Sequence, residues 1–337
     1  MTTLTLFCPD LFASEMPDSS AARPSSLPTL ERILAQASYS EDVCGDATEW
    51  LCCQFGVRRQ EDWPSAALSL IGLGVDPQDG YWLHADPVQL TADRDRLILT
   101  ATLQPGDAES EAVLASLNRH FSDSGLQFLA PAPGAWFVRV FPPPRLVTTP
   151  LPRAKGRSID ALLPTGQDGK RWHAISNEVQ MLLHAHPVNL EREQRRAPLL
   201  NSLWFWGSGV LPAVEKPFDF VAGHSALLRG LGLPLPCHAV TGGFGSVTGR
   251  RAFVELAHEA GENPRENFDA WQQVLLEWEN LWFRPIVDAL RDGRLAEVCI
   301  ATVQNGRQRQ WYCRRRDLWK FWRRSEPLAS LSRKKSS

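Results

Sequence analysis

Hydrophobic positions along the chain repeat with two periods, which predict strands in some stretches and helices in others. Alternation over 3–8 (TLTLFC) predicts a first strand, and three- and four-residue spacing over 29–38 predicts a helix that Thr29 can cap. The same spacing makes 267–291 the clearest helix, which Pro285 should kink. Asn305-Gly306 stands between two strand-like runs, so we expect a tight hairpin there.

Two stretches differ in the order of these elements. Within 81–141 the pattern predicts strand, strand, helix, strand, strand, with strands at 81–84 and 96–103 and a polar turn between them. Prolines 142–144 mark the exit from this compact α+β unit. From 201 to 240, strand-like and helical runs alternate, which predicts βαβ units and a parallel sheet.

Composition adds limits rather than a new picture. The chain has 337 residues, 43% of them hydrophobic and 22% charged, which suits roughly two globular domains. No apolar window is long enough for a membrane span, and the N-terminus lacks the basic region of a signal peptide. Seven cysteines without framework spacing predict reduced thiols, so we expect a cytoplasmic protein.

Charge is concentrated at one end of the chain. Residues 307–337 hold eleven Lys and Arg against two acidic residues, a net +9, which leaves −11 on the remainder. The basic patch consists of Arg314, Arg315, Arg316, Lys320, Arg323 and Arg324. Interleaved aromatic residues suit contact with nucleic acid, or equally the docking of Trp319, Phe321 and Trp322 on the body. We favour docking, because large aromatic side chains are costly to leave in water.

The candidate binding site centres on Gly207-Ser208-Gly209. A hydrophobic strand runs into these residues, and open α/β sheets bind ligands at the carboxyl ends of their strands. Backbone N–H groups there could hold an anion, although a turn that needs glycine for its geometry is the other interpretation. The further candidate ligand-binding residues are Asn177, Glu178, His184, Asn189, Asn201 and Trp206.

Acidic residues at 86–95 offer a weaker signal. Asp86, Asp93 and Asp95 flank Arg94 and Arg96, but the glycine and the final glutamate of a calcium loop are missing. We expect mutual salt bridges in a turn. The glycine-rich run 241–249 likewise lacks a nucleotide-binding fingerprint.

Four motifs together resemble a known family. LHADPVQL (83–90), NEVQMLLHAHPVN (177–189), NSLWFWGSG (201–209) and DLWKFWRR (317–324) are similar to the bacterial RpfE-like regulatory proteins, which are often labelled phosphoglycerate mutase-like. A more distant resemblance is to archaeal-type cofactor-independent phosphoglycerate mutases, whose N-x-x-W-x-W-G-x-G segment is matched by 201–209. This resemblance implies an alkaline-phosphatase-like α/β fold with a mainly parallel sheet flanked by helices, over 1–80 and 142–337. It also implies an inserted α+β domain at 81–141.

The enzymes of that superfamily use a serine nucleophile and two divalent metals held by Asp and His, and this chain departs from their motifs. Asp10 stands in a different context from their early Asp-Gly pair, 296–306 lacks their late Asp-His pair, and HEAGE (258–262) only echoes their DEAGH-type motif. We therefore expect no resident metal, and a regulatory or small-anion-binding protein with an unidentified small anion or protein as partner.

Two alternatives stay open. One is an active phosphomutase or phosphatase with a rearranged Mn²⁺ or Mg²⁺ site, in which Asp86, His184, His186, His258 or Glu259 would be ligands. The other is a nucleic-acid-associated factor that uses 307–324.

Overall fold

The structure is a computed structural model that describes residues 2–9, 11–12, 26–257 and 268–333. The strands, in chain order, are β1 (Thr2–Phe7), β2 (Ser38–Val43), β3 (Tyr81–Asp93), β4 (Arg96–Thr102), β5 (Leu126–Ala132), β6 (Ala135–Val140), β7 (Ser202–Gly209), β8 (Phe220–Ala222), β9 (Cys237–His238), β10 (Arg251–Glu255), β11 (Leu295–Gln304) and β12 (Arg307–Arg314). The helices are α1 (Pro28–Gln36), α2 (Ala47–Gln54), α3 (Ser65–Gly72), α4 (Asp107–His120), α5 (Leu151–Ala154), α6 (Gly169–His184), α7 (Pro187–Gln194), α8 (Ala226–Gly232), α9 (Phe268–Trp278), α10 (Arg284–Arg291) and α11 (Leu328–Arg333). No helix of the described residues is long and apolar enough to cross a membrane.

The chain divides into two compact units. Unit 1 comprises 1–50 and 216–337, and unit 2 comprises 51–215. The range expected for an inserted domain, 81–141, lies inside unit 2, whose boundaries are further out on both sides. The reason is that β7, α6 and α7 pack with β3 into a single core.

Unit 1 is built on a mainly parallel sheet. Its described residues form seven strands in the order β2-β12-β11-β1-β10-β8-β9, of which β12 and β2 are antiparallel to their neighbours. Buried aliphatic side chains on its central strands, such as Leu4, Val254 and Ile300, belong to one large core. The predicted βαβ unit is confirmed in β8, α8 and β9, and the Asn305-Gly306 hairpin in β11 and β12.

The long helix predicted near the C-terminus is interrupted. α9 ends at Trp278, Glu279–Phe283 form one π-helical turn, and α10 begins at Arg284. Pro285 has no N–H to donate, so the helical ladder has to change just before it. The buried Glu279 carboxylate accepts the N–H groups of Thr29 (2.8 Å) and Leu30 (3.1 Å). It therefore caps α1, and the predicted cap by the Thr29 side chain is wrong.

Unit 2 contains an antiparallel sheet centred on β3. Among the described residues this sheet has five strands. β7 lies along one edge of β3, β6 and then β4 lie along the other, and β5 pairs with β6. Leu83, Ala85 and Phe205 face the layer formed by α4, α6 and α7, while Trp82 and Phe137 pack with α3 on the opposite face. β7 is therefore antiparallel, and its predicted place in a parallel sheet is wrong.

The predicted turn at 86–95 is mostly strand. β3 continues to Asp93, and the chain reverses at Arg94, which has a positive φ of 55°. Asp86 is thus buried within a strand rather than paired in a turn. The expected mutual salt bridging reduces to a surface contact of 4.0 Å between Asp95 and Arg96.

The segment after β12 does not dock its aromatic side chains. Residues Arg315–Trp319 form a 3₁₀ turn that places Leu318 against the core of unit 1. Trp319, Phe321 and Trp322 are 73%, 80% and 67% exposed. The favoured prediction of docking is therefore wrong, because the apolar side chain that this turn directs inward is Leu318.

Candidate functional site

Polar side chains are buried in unit 2 on the sheet face away from α4 and α6. Successive strand residues point to opposite faces, so His84 and Asp86 of β3 lie opposite the helix layer that Leu83 and Ala85 contact. Trp206 of β7 packs on that same outer face. We call the following residues the buried polar cluster: Asp62, Ser65, His84, Asp86, Thr148 and Ser208, together with the half-buried Trp206 that binds Asp86.

Gly207 and Ser208 form a β-bulge. Trp82 pairs with Gly209 while His84 pairs with Trp206, so β7 has one residue more than β3 at this point. Gly207 has a φ of 67°, and a Cβ there would lie 2.1 Å from Ser65 Oγ and 3.0 Å from His84 Cδ2. The sequence requires glycine here for both conformation and space.

The bulge directs its polar groups to Asp62. Asp62 Oδ2 accepts the Thr148 hydroxyl (2.5 Å) and N–H (3.0 Å), and the Ser208 hydroxyl at 3.5 Å. Its Oδ1 accepts the N–H of Trp63 at 2.8 Å, and the Ser208 backbone also hydrogen-bonds the carboxylate. The Gly207 N–H donates to Thr148 Oγ1 at 2.9 Å. An empty anion site would require free N–H groups, whereas these N–H groups are already paired within the chain.

Asp62 lies on an irregular loop between α2 and α3. Gln60 of this loop donates its Nε2 to the Val210 carbonyl (2.8 Å) and accepts the Val210 N–H at Oε1 (3.1 Å). Arg58 and Arg59 of the same loop are exposed. Burial raises the pKa of the Asp62 carboxyl, although its hydrogen bonds act in the opposite direction. The loop thus places a costly buried charge against the bulge.

A second part of the cluster consists of rings and one carboxyl group. The His84 ring stacks on Trp206 with centroids 4.1 Å apart, and Trp206 Nε1 donates to Asp86 Oδ2 at 2.5 Å. Burial lowers the pKa of His84 to about 3 and raises the pKa of Asp86 to about 7. His84 is therefore neutral at physiological pH, whereas the Asp86 carboxyl group gains and loses its proton close to that pH.

The cluster has some unused hydrogen-bonding capacity. The Ser65 backbone hydrogen-bonds the His84 ring, whereas His84 Nε2 and Ser65 Oγ are buried without a partner in the described part of the chain. The Ser208 hydroxyl also hydrogen-bonds Tyr81. Chemically, the arrangement can hold negative charge at Asp62 and a proton at Asp86, but the fully buried Ser208 hydroxyl is out of reach of a bulky substrate.

The other residues predicted to bind a ligand have separate positions. Asn177, Glu178 and His184 are exposed on α6, which packs on the opposite sheet face from His84 and Trp206, and Glu178 Oε2 lies 3.2 Å from His120 Nε2. Their role in binding stays a prediction. Gly209 approaches Pro64, since a Cβ there would lie 2.6 Å from the Pro64 Cβ.

The two asparagines in this set tie backbone segments together. Asn189 donates to the carbonyls of Leu183 (2.8 Å) and Leu200 (2.6 Å) and accepts the Leu200 N–H at 2.9 Å. Asn201 exchanges two hydrogen bonds with the Leu90 backbone, of 2.8 and 2.7 Å. Each amide side chain thus satisfies backbone N–H and C=O groups of another segment.

His186 serves as a helix cap. Its Nδ1 accepts the Val188 N–H (3.3 Å) at the start of α7, and its Nε2 lies 3.0 Å from Ser116 Oγ. Burial lowers the pKa of this imidazole, which favours the neutral ring that capping needs. Both ring nitrogens are thus engaged within the chain.

Another buried carboxylate lies at the carboxyl edge of the parallel sheet in unit 1. Glu255 ends β10, and its Oε2 accepts the Ser225 N–H at 3.1 Å, just before α8. Burial raises the pKa of Glu255. This edge is where open α/β sheets bind ligands. As at Asp62 in unit 2, a carboxylate of the chain itself accepts the N–H group, here that of Ser225.

A two-metal centre needs several carboxylate and imidazole ligands converging around both ions. Within 2–9, 11–12, 26–257 and 268–333, no three His, Cys, Asp or Glu side chains are grouped so that they could hold a metal ion. These residues therefore do not fit a Mn²⁺ or Mg²⁺ pair. Asp10, His258 and Glu259, which the sequence also raised, lie outside the described residues.

Sequence reasoning missed Asp62, Ser65, His84 and Thr148. His84 and Asp86 are two apart in a strand, and so are Trp204 and Trp206, so a shared face was readable from the pattern. Asp62 and Thr148 come from irregular segments far apart in sequence, and no periodicity connects them.

Part of the chain is similar to archaeal phosphoglycerate mutases. A 92-residue stretch is 35% identical to the 2,3-bisphosphoglycerate-independent phosphoglycerate mutase of Methanosarcina acetivorans, covering 25% of this chain and 23% of that protein. The corresponding protein of Methanosarcina mazei is 32% identical over 91 residues, with the same two shares. The chain therefore matches less than a quarter of the length of these curated relatives. The predicted distant similarity to such mutases is confirmed.

Broader comparisons add little. The chain matches no protein-family model. The cofactor-independent phosphoglycerate mutase from Thermoplasma acidophilum overlaps 93% of this chain and 90% of its own, with 13% identity and a TM-score of 0.41. A likeness at that level does not assign a shared fold.

Proposed function

We propose that the chain is a phosphoglycerate mutase-related regulatory protein that binds a small anion and does not carry out two-metal phosphotransfer. The finer kinship with RpfE-like proteins and a cytoplasmic location belong to the same proposal. The spacing of the cysteines, which is not that of a disulfide framework, supports a reducing compartment. The observation that carries the proposal is the convergence of hydrogen-bond donors on Asp62.

These donors suit any small oxyanion. The Thr148 N–H and hydroxyl and the Ser208 backbone surround one carboxylate, and a phosphate or carboxylate oxygen of a ligand accepts the same hydrogen bonds. The loop that holds Asp62 carries the exposed cations Arg58 and Arg59. We propose that this loop moves away with Asp62 when the anion binds, and that the burial cost of the Asp62 charge favours the exchange.

Phosphotransfer is disfavoured by what the candidate ligands already do. Asp86 accepts a hydrogen bond from Trp206, His186 caps α7, and His184 is exposed on the opposite sheet face. The Ser208 hydroxyl is fully buried against Asp62 and is not accessible as a nucleophile. A metal pair and an accessible nucleophile would both require this region to be rebuilt.

Calorimetric titration with inorganic phosphate and with 3-phosphoglycerate tests the anion site. Asp62→Asn removes the competing charge but keeps a side chain of similar size, so we expect about tenfold tighter binding of both anions than in the unaltered protein. Asp79→Asn, which neutralises an exposed carboxylate elsewhere in unit 2, is the matched control and should not change the affinity. Equal affinity in all three proteins, or no binding, would overturn the proposal.

The catalytic part is tested with a mutase and phosphatase assay in Mn²⁺, together with metal analysis of the purified protein. We expect no turnover above buffer and less than one metal ion per chain. Turnover abolished by EDTA would show that the protein is an active enzyme instead.

The second candidate function is that active phosphomutase or phosphatase. The 35% identity to a phosphoglycerate mutase favours it, since the matched relative bears that activity in its name. It requires metal ligands such as Asp86, His184 and His186, of which Asp86 and His186 would have to give up their present hydrogen bonds. Stoichiometric bound metal that is lost in His184→Ala would support it.

A further inference from the structure

The segment 315–324 of unit 1 combines exposed aromatic rings with arginines that form no ion pair with the described residues. Trp319, Phe321 and Trp322 are mostly in solvent, and Phe321 and Trp322 meet edge to face with centroids 5.3 Å apart. Arg315 and Arg324 are exposed and form no ion pair with the described residues. We call the six residues Arg315, Arg316, Trp319, Phe321, Trp322 and Arg324 the aromatic–basic surface.

The backbone that carries this surface is fixed at both ends. Asp317 accepts the Arg314 N–H at 2.9 Å and pairs with Lys320 at 2.7 Å. Gln36 Nε2 donates to the Leu318 carbonyl at 3.3 Å. After the surface, the buried Leu328 returns the chain to the core of unit 1. The exposed rings are therefore held on an anchored loop and do not belong to a frayed end.

Three of the neighbouring cations have structural roles, which separates them from the surface. Arg323 Nη1 donates to the Ala37 carbonyl at 2.9 Å and Lys320 Nζ to the Gln36 carbonyl at 3.4 Å, both at the C-terminal end of α1. Arg314 pairs with Glu297. The guanidinium groups of Arg315, Arg316 and Arg324 remain available to a partner, although Arg316 also lies near Asp317.

We propose that the aromatic–basic surface binds single-stranded nucleic acid. Unpaired bases present π-faces that stack on exposed Trp and Phe rings, while the backbone phosphates pair with guanidinium groups in a bidentate manner. The complementarity covers both charge and shape, since arginines precede and follow the three rings along 315–324. The inference concerns unit 1 and is independent of the anion site in unit 2.

An anionic membrane is the less suitable partner. Peripheral helices insert a continuous apolar face of several turns into the lipid. Here the segment is one 3₁₀ turn followed by an irregular stretch, and its aliphatic residue, Leu318, packs against the protein core. The cations on the surface are all arginines, whose planar groups also stack on bases.

The test uses the full-length protein and fluorescence anisotropy with labelled oligonucleotides of about 15 nucleotides, oligo-dT and oligo-U, and the duplex of the same length. We expect both single strands to bind and the duplex to bind more weakly, because its bases are already stacked. Replacing Trp319, Phe321 and Trp322 together by Ala should weaken binding at least about tenfold without changing its salt dependence.

The arginines should act in the complementary way. Replacing Arg315, Arg316 and Arg324 by Ala should reduce the slope of log affinity against log salt by about 2, since each phosphate contact on a single strand contributes about 0.7. The control removes three exposed arginines of unit 2, Arg119, Arg153 and Arg157, and should preserve both affinity and slope.

Circular dichroism and the thermal midpoint should be unchanged in all variants, because the altered side chains are exposed. The proposal is overturned by absence of oligonucleotide binding at low salt, by an aromatic variant that binds like the unaltered protein, or by preference for the duplex. Binding to phosphatidylserine vesicles without oligonucleotide binding would also overturn it and would assign the surface to lipid.

Discussion

The buried polar cluster of unit 2 and the aromatic–basic surface of unit 1 use their side chains in opposite ways. In the cluster, Asp62, Asp86 and Ser208 are buried, and each has a hydrogen-bond partner inside the protein. On the surface, Trp319 and Phe321 are exposed although burial would be favourable. The contrast teaches that the polar groups of the cluster are held by partners inside the protein, which a ligand would have to displace, whereas apolar side chains held in water mark a place where a partner is expected.

The largest expected effect concerns the bulge that organises the cluster. Gly207→Ala puts a Cβ in a left-handed conformation and 2.1 Å from Ser65 Oγ, so we expect a loss of about 4 kcal/mol in the free energy of unfolding. Urea denaturation measures it. Gly245→Ala, where φ is not positive and no heavy atom lies within 4 Å, is the control and should change stability by less than about 0.5 kcal/mol. A small loss in Gly207→Ala would show that the cluster tolerates rearrangement and is not a rigid part of the fold.

The next effect depends on pH. Burial raises the pKa of Asp86 to about 7, so the folded protein retains a proton between about pH 4 and 7 that the unfolded chain has released. Asp86 therefore lowers the free energy of unfolding progressively as the pH rises through this window. Its destabilising effect is complete above the window. Asp86→Asn still accepts from Trp206, and it should match the unaltered protein near pH 4 and exceed it by about 4 kcal/mol near pH 8.

The stacked imidazole supplies a control of opposite sign. Burial lowers the pKa of His84 to about 3, so the unfolded chain binds a proton that the folded protein does not between that value and about 6.5. The His84 contribution to stability therefore rises with pH. We expect His84→Gln to be less stable than the unaltered protein, by a difference that is smallest at low pH and largest at neutral pH. Urea denaturation across pH measures this difference. The same trend in both variants would contradict the assignment of these shifts.

A smaller effect separates capping from metal binding. His186→Ala removes the acceptor for the Val188 N–H and the contact with Ser116, and we expect a loss of about 1.5 kcal/mol in unfolding free energy. Metal content should be the same as in the unaltered protein, and His184→Ala should change neither quantity because its side chain is exposed. Loss of bound metal in either variant would instead favour the active phosphomutase.

The smallest expected effect lies on the surface. Trp319→Ala should change the unfolding free energy by less than about 0.5 kcal/mol, because the side chain is exposed in the absence of a partner. Trp172→Ala, which empties a fully buried position of unit 2, should cost about 4 kcal/mol. A large loss in Trp319→Ala would show that this ring does pack on the protein, and the difference between the two regions would disappear.

Local signals in the sequence predicted local structure well. The Asn305-Gly306 hairpin and the β8-α8-β9 unit follow from turn chemistry and short-range alternation, and both are confirmed. The interruption before Pro285 is also local, since the missing N–H acts on the turn that precedes it.

Pairing between distant segments was not predictable in the same way. β7 has an apolar pattern that fits a buried strand of either kind, and only its pairing with β3 decides that it is antiparallel. The same limit hid the candidate site, since Asp62 and Thr148 are 86 residues apart and come together through the bulge at Gly207. For Trp319, burial cost was a sound general argument, but the direction of one 3₁₀ turn decided the outcome.

One hydrogen bond has a consequence for how unit 2 can be exchanged between proteins. The Glu215 N–H donates to the Phe55 carbonyl at 2.9 Å, so the chain enters and leaves this unit at neighbouring points. A segment whose two ends lie close together is suited to insertion into another protein, because both ends can be joined to a single surface loop of the host.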